Sequence, residues 1–237
     1  MRWLLTMLML VVLPAWAGDI KATYAIEDGE SLTLQYRDAS HVRMETPDGG
    51  FLLVKGDKVW MVQRDGKKWI AMDMAEMGKM MQGFGMSGMP GMDEPEEDFD
   101  PAKATFKRTA RTETVAGYKG HVYEVSDGKG EVMELVLTDH KDVQAASRAF
   151  LSMTAKAASN MGMSGLNSDK MMEMMAKQAE TGVLRQGDNL RLTSLSTASL
   201  PDATFELPPG TQIQSMPAMP AMPKGMPGMP EGFSFPR

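Results

Sequence analysis

The most constraining feature of the sequence is a two-residue alternation of apolar and polar side chains across residues 31–72. Leu32, Leu34 and Tyr36 alternate with polar residues, and the segments that follow repeat the pattern. Turn sequences separate these segments and supply the positive φ that a tight hairpin needs: Pro47-Asp48-Gly49-Gly50, Gly56-Asp57 and Asp65-Gly66. Successive side chains of a strand point to opposite faces. The pattern therefore predicts an antiparallel meander with one buried face.

The rest of the ordered chain divides into further strands and helices by the same criteria. Alternation and turn residues predict a second set of hairpins at 104–138 and a last hairpin at 183–199. Apolar residues three and four apart predict a helix from residue 141 to 157. Residues that can cap a helix start predict two more, at 73–82 with Asp73 as the cap and at 170–180 with Ser168 or Asp169 as the cap. Strands in sets with separate helices indicate an α+β domain.

The N-terminus matches a secretory signal. Arg2 precedes an apolar run from Trp3 to Leu13, and Ala15-Trp16-Ala17 fits a small-residue cleavage site. The apolar run is too short to span a bilayer, which takes about 20 residues. We therefore predict a cleaved signal peptide at 1–17 and a soluble periplasmic protein with no membrane span in its mature form.

Composition excludes several classes of function. The chain has no Cys, which excludes disulfides, thiolate metal sites and cysteine nucleophiles. Its formal charge is −6, which argues against nucleic-acid binding because that needs a basic surface. Catalysis has little support either, since His41, His121 and His140 lie in separate segments and no catalytic motif occurs. We predict no enzyme activity and no cofactor.

Between the signal peptide and the Pro-rich C-terminus, the sequence predicts one domain at 18–207. Its last predicted element is a short edge strand at 204–207. Residues 83–100 form a Met-rich loop that mixes Gly, Pro and carboxylates without periodicity. Beyond residue 207, Met-Pro repeats exclude a helix or an interior strand because Pro has no amide donor. Residues 208–237 are therefore predicted to be a disordered tail.

Three strand-and-turn motifs are prominent: His41-Val42-Arg43-Met44-Glu45, Lys55-Gly56-Asp57-Lys58-Val59-Trp60-Met61 and the stretch from Thr114 to Val125. In these motifs and in the order of its strands and helices, the chain resembles the half-barrel of exported lipoprotein carriers of the LolA/LolB type, and in particular a bacterial exported family of unknown function on that scaffold. The resemblance implies a curved antiparallel half-barrel sheet, covered on its concave face by two or three helices. It also implies a hydrophobic ligand, or a lipoprotein or other protein partner, held in that cavity.

Methionine is the strongest compositional anomaly, with 26 residues. Those at helical spacing are explained by core packing, because Met fills irregular gaps, or by an adaptable apolar groove for a ligand. Those in the loop and tail have no core to fill, and thioethers are ligands for the soft ions Cu(I) and Ag(I). The candidate metal ligands are Met86, Met89, Met92, Met216, Met219, Met222, Met226 and Met229.

These observations favour an exported, non-enzymatic protein that binds a hydrophobic or lipid-like ligand. The alternative is a methionine-rich Cu(I)- or Ag(I)-binding protein of the periplasm. The residues predicted to line the ligand cavity are Leu34, Tyr36, Trp60, Trp69, Phe150, Met171, Met174 and Met175. Trp60 and Trp69 are also explained by packing within the sheet, for which cavity lining is the alternative.

Overall fold

The computed structural model describes residues 18–83, 105–126, 132–162 and 179–214. The predicted signal peptide at 1–17 and nearly all of the Met-rich loop fall outside these ranges. So do most of the helix predicted at 170–180 and the tail from residue 215 onward.

The described residues are mostly β-structure. The strands are β1 (Ile20–Ile26), β2 (Ser31–Asp38), β3 (His41–Glu45), β4 (Phe51–Lys55), β5 (Lys58–Asp65), β6 (Lys68–Asp73), β7 (Thr105–Val115), β8 (Tyr118–Ser126), β9 (Val132–Thr138), β10 (Gly182–Gln186), β11 (Leu190–Ser196) and β12 (Gln212–Ile213). The helices are α1 (Met74–Gly83) and α2 (Lys141–Asn160), and short 3-10 turns occur at Glu27–Gly29 and Asp202–Phe205.

All twelve strands belong to one sheet, in the order β12-β6-β5-β4-β3-β2-β1-β11-β10-β9-β8-β7. Neighbouring strands are antiparallel except for β6 and β12, which are parallel. The predicted antiparallel sheet is thus confirmed. The predicted turns are also confirmed at Gly56 and Gly66, which have φ of 61° and 58°. Glycine adopts this left-handed region without a steric penalty.

The predicted fold class, an α+β half-barrel covered by two or three helices, is wrong. The chain is dominated by a single large mixed sheet, and the described residues contain two helices, of 10 and 20 residues. Alternation identifies a strand but does not show which distant strand it pairs with. The pairing of β1 with β11 joins the two hairpin sets, and β12 adds a parallel edge from a segment with no alternation.

Both described helices begin and pack as their sequences predict. The Asp73 side chain accepts a hydrogen bond from the Ala75 N–H at 3.0 Å, which caps the start of α1. In α2, Val143, Ala146 and Met153 are buried. The two helices contact each other, and Gly78 of α1 is close enough to α2 that an added Cβ would lie 2.8 Å from the Met161 Cα.

The first face of the sheet, defined here as the side that carries Leu34 and Val42, packs against α2. Leu34 is fully buried there, and Met153 from α2 joins the same cluster. Burial raises the pKa of Tyr24, also in this cluster, to about 12, although a hydrogen bond with Ser147 of α2 opposes the shift. Burial of a side chain such as Leu34 or Met153 stabilises the folded state by about 1.5–3 kcal/mol relative to leaving it exposed to water.

The second face, the side that carries Leu53 and Trp60, is covered near β3 and β4 by the C-terminal segment, defined here as residues 197–214. Phe205 of this segment is 1% exposed and contacts these strands at the Asp202–Phe205 turn. The predicted edge strand at 204–207 is therefore wrong. The segment continues to β12, which lies within the range predicted to be a tail.

Arg37 of β2 fixes the C-terminal segment to the sheet. Its guanidinium donates to both carboxylate oxygens of Asp19 at 3.0 Å, to Asp202 at 2.7 Å and to the Leu200 carbonyl at 2.7 Å. The same guanidinium lies 4.8 Å from the centre of the Phe205 ring. Because Asp19 precedes β1, this cluster ties both ends of the described domain together.

Candidate functional site

The β1–β2, β3–β4 and β5–β6 hairpins are neighbours in the sheet and turn at the same end. They differ in length, and this difference creates a notch. The β3–β4 hairpin ends where Glu45 pairs with Phe51. Beyond that pair, β5 continues past Val62, the partner of Phe51, to Asp65. On the other side, Glu45 pairs with Thr33 of β2, and β2 begins two residues earlier, at Ser31, so it also extends past the end of the β3–β4 hairpin. The short hairpin therefore forms the floor between two longer walls.

This notch is a cavity of about 460 Å³. Leu52 and Met61 provide half-buried apolar side chains, and Glu30 and Gln63 lie in the two walls. The complete lining is Glu30, Thr46, Pro47, Asp48, Gly50, Phe51, Leu52, Met61, Val62 and Gln63. The volume falls in the range of about 300–1,000 Å³ that is typical of small-molecule sites.

The tight turn at the floor of the notch is held by Asp48. Its carboxylate accepts hydrogen bonds from the Thr46 hydroxyl and from the Gly50 N–H, and these bonds hold the pKa of Asp48 below its usual value of 3.8. Gly49 adopts φ of 79° in this turn. Gly50 has no room for a side chain, because an added Cβ would lie 2.9 Å from the Val62 carbonyl oxygen.

A row of apolar side chains on the first face extends from the core to the notch. The strand registers place the members of this row opposite one another, in the order Leu34, Met44, Leu52, Met61 and Met72. Leu34 is fully buried, whereas the other four are half-buried. Leu52 and Met61 belong both to this row and to the notch lining. The notch is therefore continuous with a partly open apolar surface, called here the methionine row.

Five of the eight residues predicted to line a ligand cavity are described, and they lie in two separate clusters. Leu34, Tyr36 and Phe150 belong to the first-face cluster. Trp60 and Trp69 belong to a separate cluster on the second face. Met171, Met174 and Met175 lie outside the described residues. None of the five described residues lines the notch.

The two tryptophans pack with cations on the second face. Lys58 Nζ lies 4.9 Å from the Trp60 ring, and the Arg64 guanidinium lies 4.7 Å from the Trp69 ring. Trp69 also meets Phe51 edge-on, with ring centres 5.7 Å apart. These contacts explain the two tryptophans as packing residues of the sheet.

The predicted metal ligands, from Met86 to Met92 and from Met216 to Met229, all lie outside the described residues. Within the ranges that the structure describes, no group of three or more His, Asp or Glu side chains is arranged to hold a metal ion. The Cu(I) and Ag(I) alternative therefore stays a prediction.

A second polar cluster surrounds Glu180, whose side chain is 11% exposed. Its carboxylate lies 2.6 Å from His121 Nδ1, and it accepts hydrogen bonds from the Tyr123 hydroxyl at 2.9 Å and from Arg108 at 3.3 Å. Burial raises the pKa of Glu180, but the bonds from Tyr123 and His121 outweigh burial and leave that pKa below its usual value. The arrangement satisfies both carboxylate oxygens and connects the start of β10 to β7 and β8.

Sequence reasoning missed both the notch and the Glu180 cluster. It interpreted Pro47 to Gly50 as a turn, although the unequal lengths of the hairpins on either side were a signal for an open end above it. His121 and Tyr123 are two apart on β8 and so share a face, but nothing in the sequence linked them to Glu180.

Comparison with protein-family models, with curated proteins and with solved structures finds no match to this chain. The resemblance to the lipoprotein carriers therefore stays a prediction. No helix in the described part of the chain is long and apolar enough to cross a membrane.

Proposed function

We propose that this protein is a non-enzymatic binding protein that holds a hydrophobic ligand in the notch and along the methionine row. The observation that carries the proposal is the continuity between the 460 Å³ notch and the half-buried row through Leu52 and Met61. The half-buried members of the row would lose their remaining contact with water when a ligand covered them. Removing apolar surface from water is favourable by about 25 cal/mol of free energy per Å².

The chemistry of the row suits a ligand whose shape is not fixed. Met44, Met61 and Met72 have unbranched, polarizable side chains that adjust their rotamers to an irregular surface. Such surfaces bind flexible apolar groups with modest selectivity. An acyl or alkyl chain is the simplest ligand of this kind.

The proposed location of this function is the periplasm. The support is the sequence pattern of residues 1–17, which is that of a cleaved secretory signal. An exported hydrophobic-ligand carrier is also what the resemblance to the LolA/LolB-type proteins implies. The ligand would then be a lipid-like molecule or the apolar part of a protein partner.

The test is binding of the neutral dye 1-N-phenylnaphthylamine to the full chain, followed by its fluorescence. Met61→Gln places a polar amide in the notch and removes apolar contact with the dye. We expect binding to weaken about tenfold, which corresponds to a loss of about 1.4 kcal/mol of binding free energy. The matched control is Val132→Gln on β9, where the side chain is 62% exposed and far from the lining.

The control variant should bind the dye as the unmodified chain does. Both variants are compared where circular dichroism shows that they are folded. Absence of saturable dye binding, or equal weakening in both variants, would overturn the proposal.

A further inference from the structure

The charges around the notch are of one sign. Of the described residues that line it, the ionisable ones are Glu30 and Asp48, both exposed carboxylic acids, and the lining contains no Lys, Arg or His. Asp48 is fixed by its bonds to Thr46 and Gly50, so its charge has a defined position. Glu30 has no ion-pair partner among the described residues, so its charge is not neutralised by them.

The nearest arginines along the same strands do not compensate for these charges. Successive residues of a strand point to opposite faces. Arg43 is next to Met44, a first-face residue, and Arg64 pairs with Trp69 of the second face, so both arginines are on the second face. There the Arg43 guanidinium lies 3.6 Å from the centre of the Phe51 ring and 3.1 Å from Glu45. Arg64 lies over Trp69. Both arginines are thus engaged with aromatic rings of the second face, and neither lines the notch.

We propose that the ligand is an amphiphile with a positively charged head, such as an alkylammonium, and not a fatty acid or another anionic lipid. The inference rests on the proposed function and names the ligand class of that same site. The alkyl chain lies along Leu52 and Met61, and the ammonium lies between Glu30 and Asp48. The hydroxyl of Thr46 and the amide of Gln63 complete a polar rim.

The two carboxylates of the notch favour a cationic head group over an anionic one. The pKa of Asp48 lies below its usual value, so this carboxylate is ionised at neutral pH. Exposed charge pairs are individually weak and are screened by salt. Two carboxylates acting on one ammonium, combined with their repulsion of a carboxylate head, are expected to favour the cation by about tenfold at low ionic strength.

The experiment compares three ligands with the same twelve-carbon chain: dodecyltrimethylammonium, dodecanoate and dodecanol. The two ionic ligands are titrated below their micelle concentrations, and dodecanol below its solubility limit, against the full chain loaded with 1-N-phenylnaphthylamine. Displacement of the dye gives the affinity of each ligand. The expected order is ammonium, then alcohol, then carboxylate. The ratio of ammonium to carboxylate affinity is expected to fall as salt is added.

The variants test which residues set this ratio. Glu30→Gln combined with Asp48→Asn removes both charges while keeping the side-chain oxygen that accepts the bonds from Thr46 and Gly50. The ratio is then expected to fall to about two or less. Glu27→Gln is the matched control, because Glu27 lies in the same turn region as Glu30 and is exposed but does not line the notch. This control should keep the full preference.

The outcomes separate the two proposals. If dodecanol displaces the dye but the ammonium binds no better than the carboxylate, the charge inference fails and the proposed function stands. The charge inference also fails if the double variant keeps the preference, or if Glu27→Gln loses it equally. If the dye does not bind at all, both fail.

Discussion

Leu52 and Met61 face each other across β4 and β5, and both line the notch while continuing the methionine row. Their position is set by the register of the hairpin, because a slip of one residue would turn both side chains to the second face. The candidate site is therefore built on the sheet and does not depend on the helices for its apolar floor.

Replacing Phe205 by Ala tests the role of the C-terminal segment. Phe205 is 1% exposed, and truncation of a buried Phe costs about 3–5 kcal/mol through lost burial and a residual cavity. We expect Phe205→Ala to lower the free energy of unfolding by about 3 kcal/mol or more, measured by urea denaturation. A change below about 0.5 kcal/mol would show that the segment does not stabilise the sheet.

Ile213→Ala is the control for this variant. Ile213 belongs to the same segment and is 57% exposed, so its truncation should cost less than about 0.5 kcal/mol. Equal losses in the two variants would mean that the effect does not come from the buried ring.

Replacing Gly78 by Ala sets helix propensity against close packing. In a solvent-exposed helix this change stabilises by about 1 kcal/mol. At Gly78 the new Cβ would collide with the backbone of Asn160 and Met161, which cannot move without displacing the end of α2. We therefore expect Gly78→Ala to lower the melting temperature.

The control for Gly78 is Ser152→Ala, on the exposed side of α2. This change should leave the melting temperature unchanged or raise it slightly, because Ala has the higher helix propensity. A higher melting temperature in Gly78→Ala would contradict the close contact between α1 and α2.

The local elements were predictable from the sequence because their signals are local. Alternation fixed the strands from Leu32 to Met72, and the Asp73 cap fixed the start of α1. The way in which these elements join was not predictable. Nothing in β1 specifies β11 as its partner, and Gln212–Ile213 shows no strand pattern before it pairs with β6.

The candidate site was less predictable than the fold elements. For Trp60 and Trp69 the sequence offered two interpretations, packing within the sheet and lining of a cavity. Their registers place both residues in the packed cluster of the second face. The notch depends on where hairpins end relative to one another, and element ends are the least certain part of a sequence-based prediction. Asp48 was visible in the sequence only as a turn residue, and no pattern in the sequence distinguished Glu30.

Asp19 gives a pH-dependent prediction. Hydrogen bonds from Arg37 hold the pKa of Asp19 below its usual value of 3.8, against the opposing effect of burial. A lowered folded-state pKa means that the stabilisation is complete above pH 3.8 and is lost as the pH falls through the folded-state pKa. We expect Asp19→Asn to be less stable than the unmodified chain at neutral pH and to lose less stability on acidification.

The measurement for Asp19 is urea denaturation at a series of pH values from neutral to strongly acidic. Asp188→Asn is the control, because Asp188 is exposed in the turn between β10 and β11. In the described part of the chain, the carboxylates that pair with Arg37 are those of Asp19 and Asp202. If Asp19→Asn keeps the same pH dependence as the unmodified chain, the pairing of Asp19 with Arg37 does not control acid stability.

The most direct test of the binding proposal is a methyl spectrum of the full chain labelled with ¹³C at the methionine methyl groups, recorded with and without dodecanol. The Met61 resonance is assigned by its disappearance in Met61→Leu, and Met153 of α2, which is 2% exposed, serves as the internal reference. We predict a saturable shift of the Met61 resonance while that of Met153 stays in place. A Met61 resonance that does not move at saturating dodecanol would contradict it.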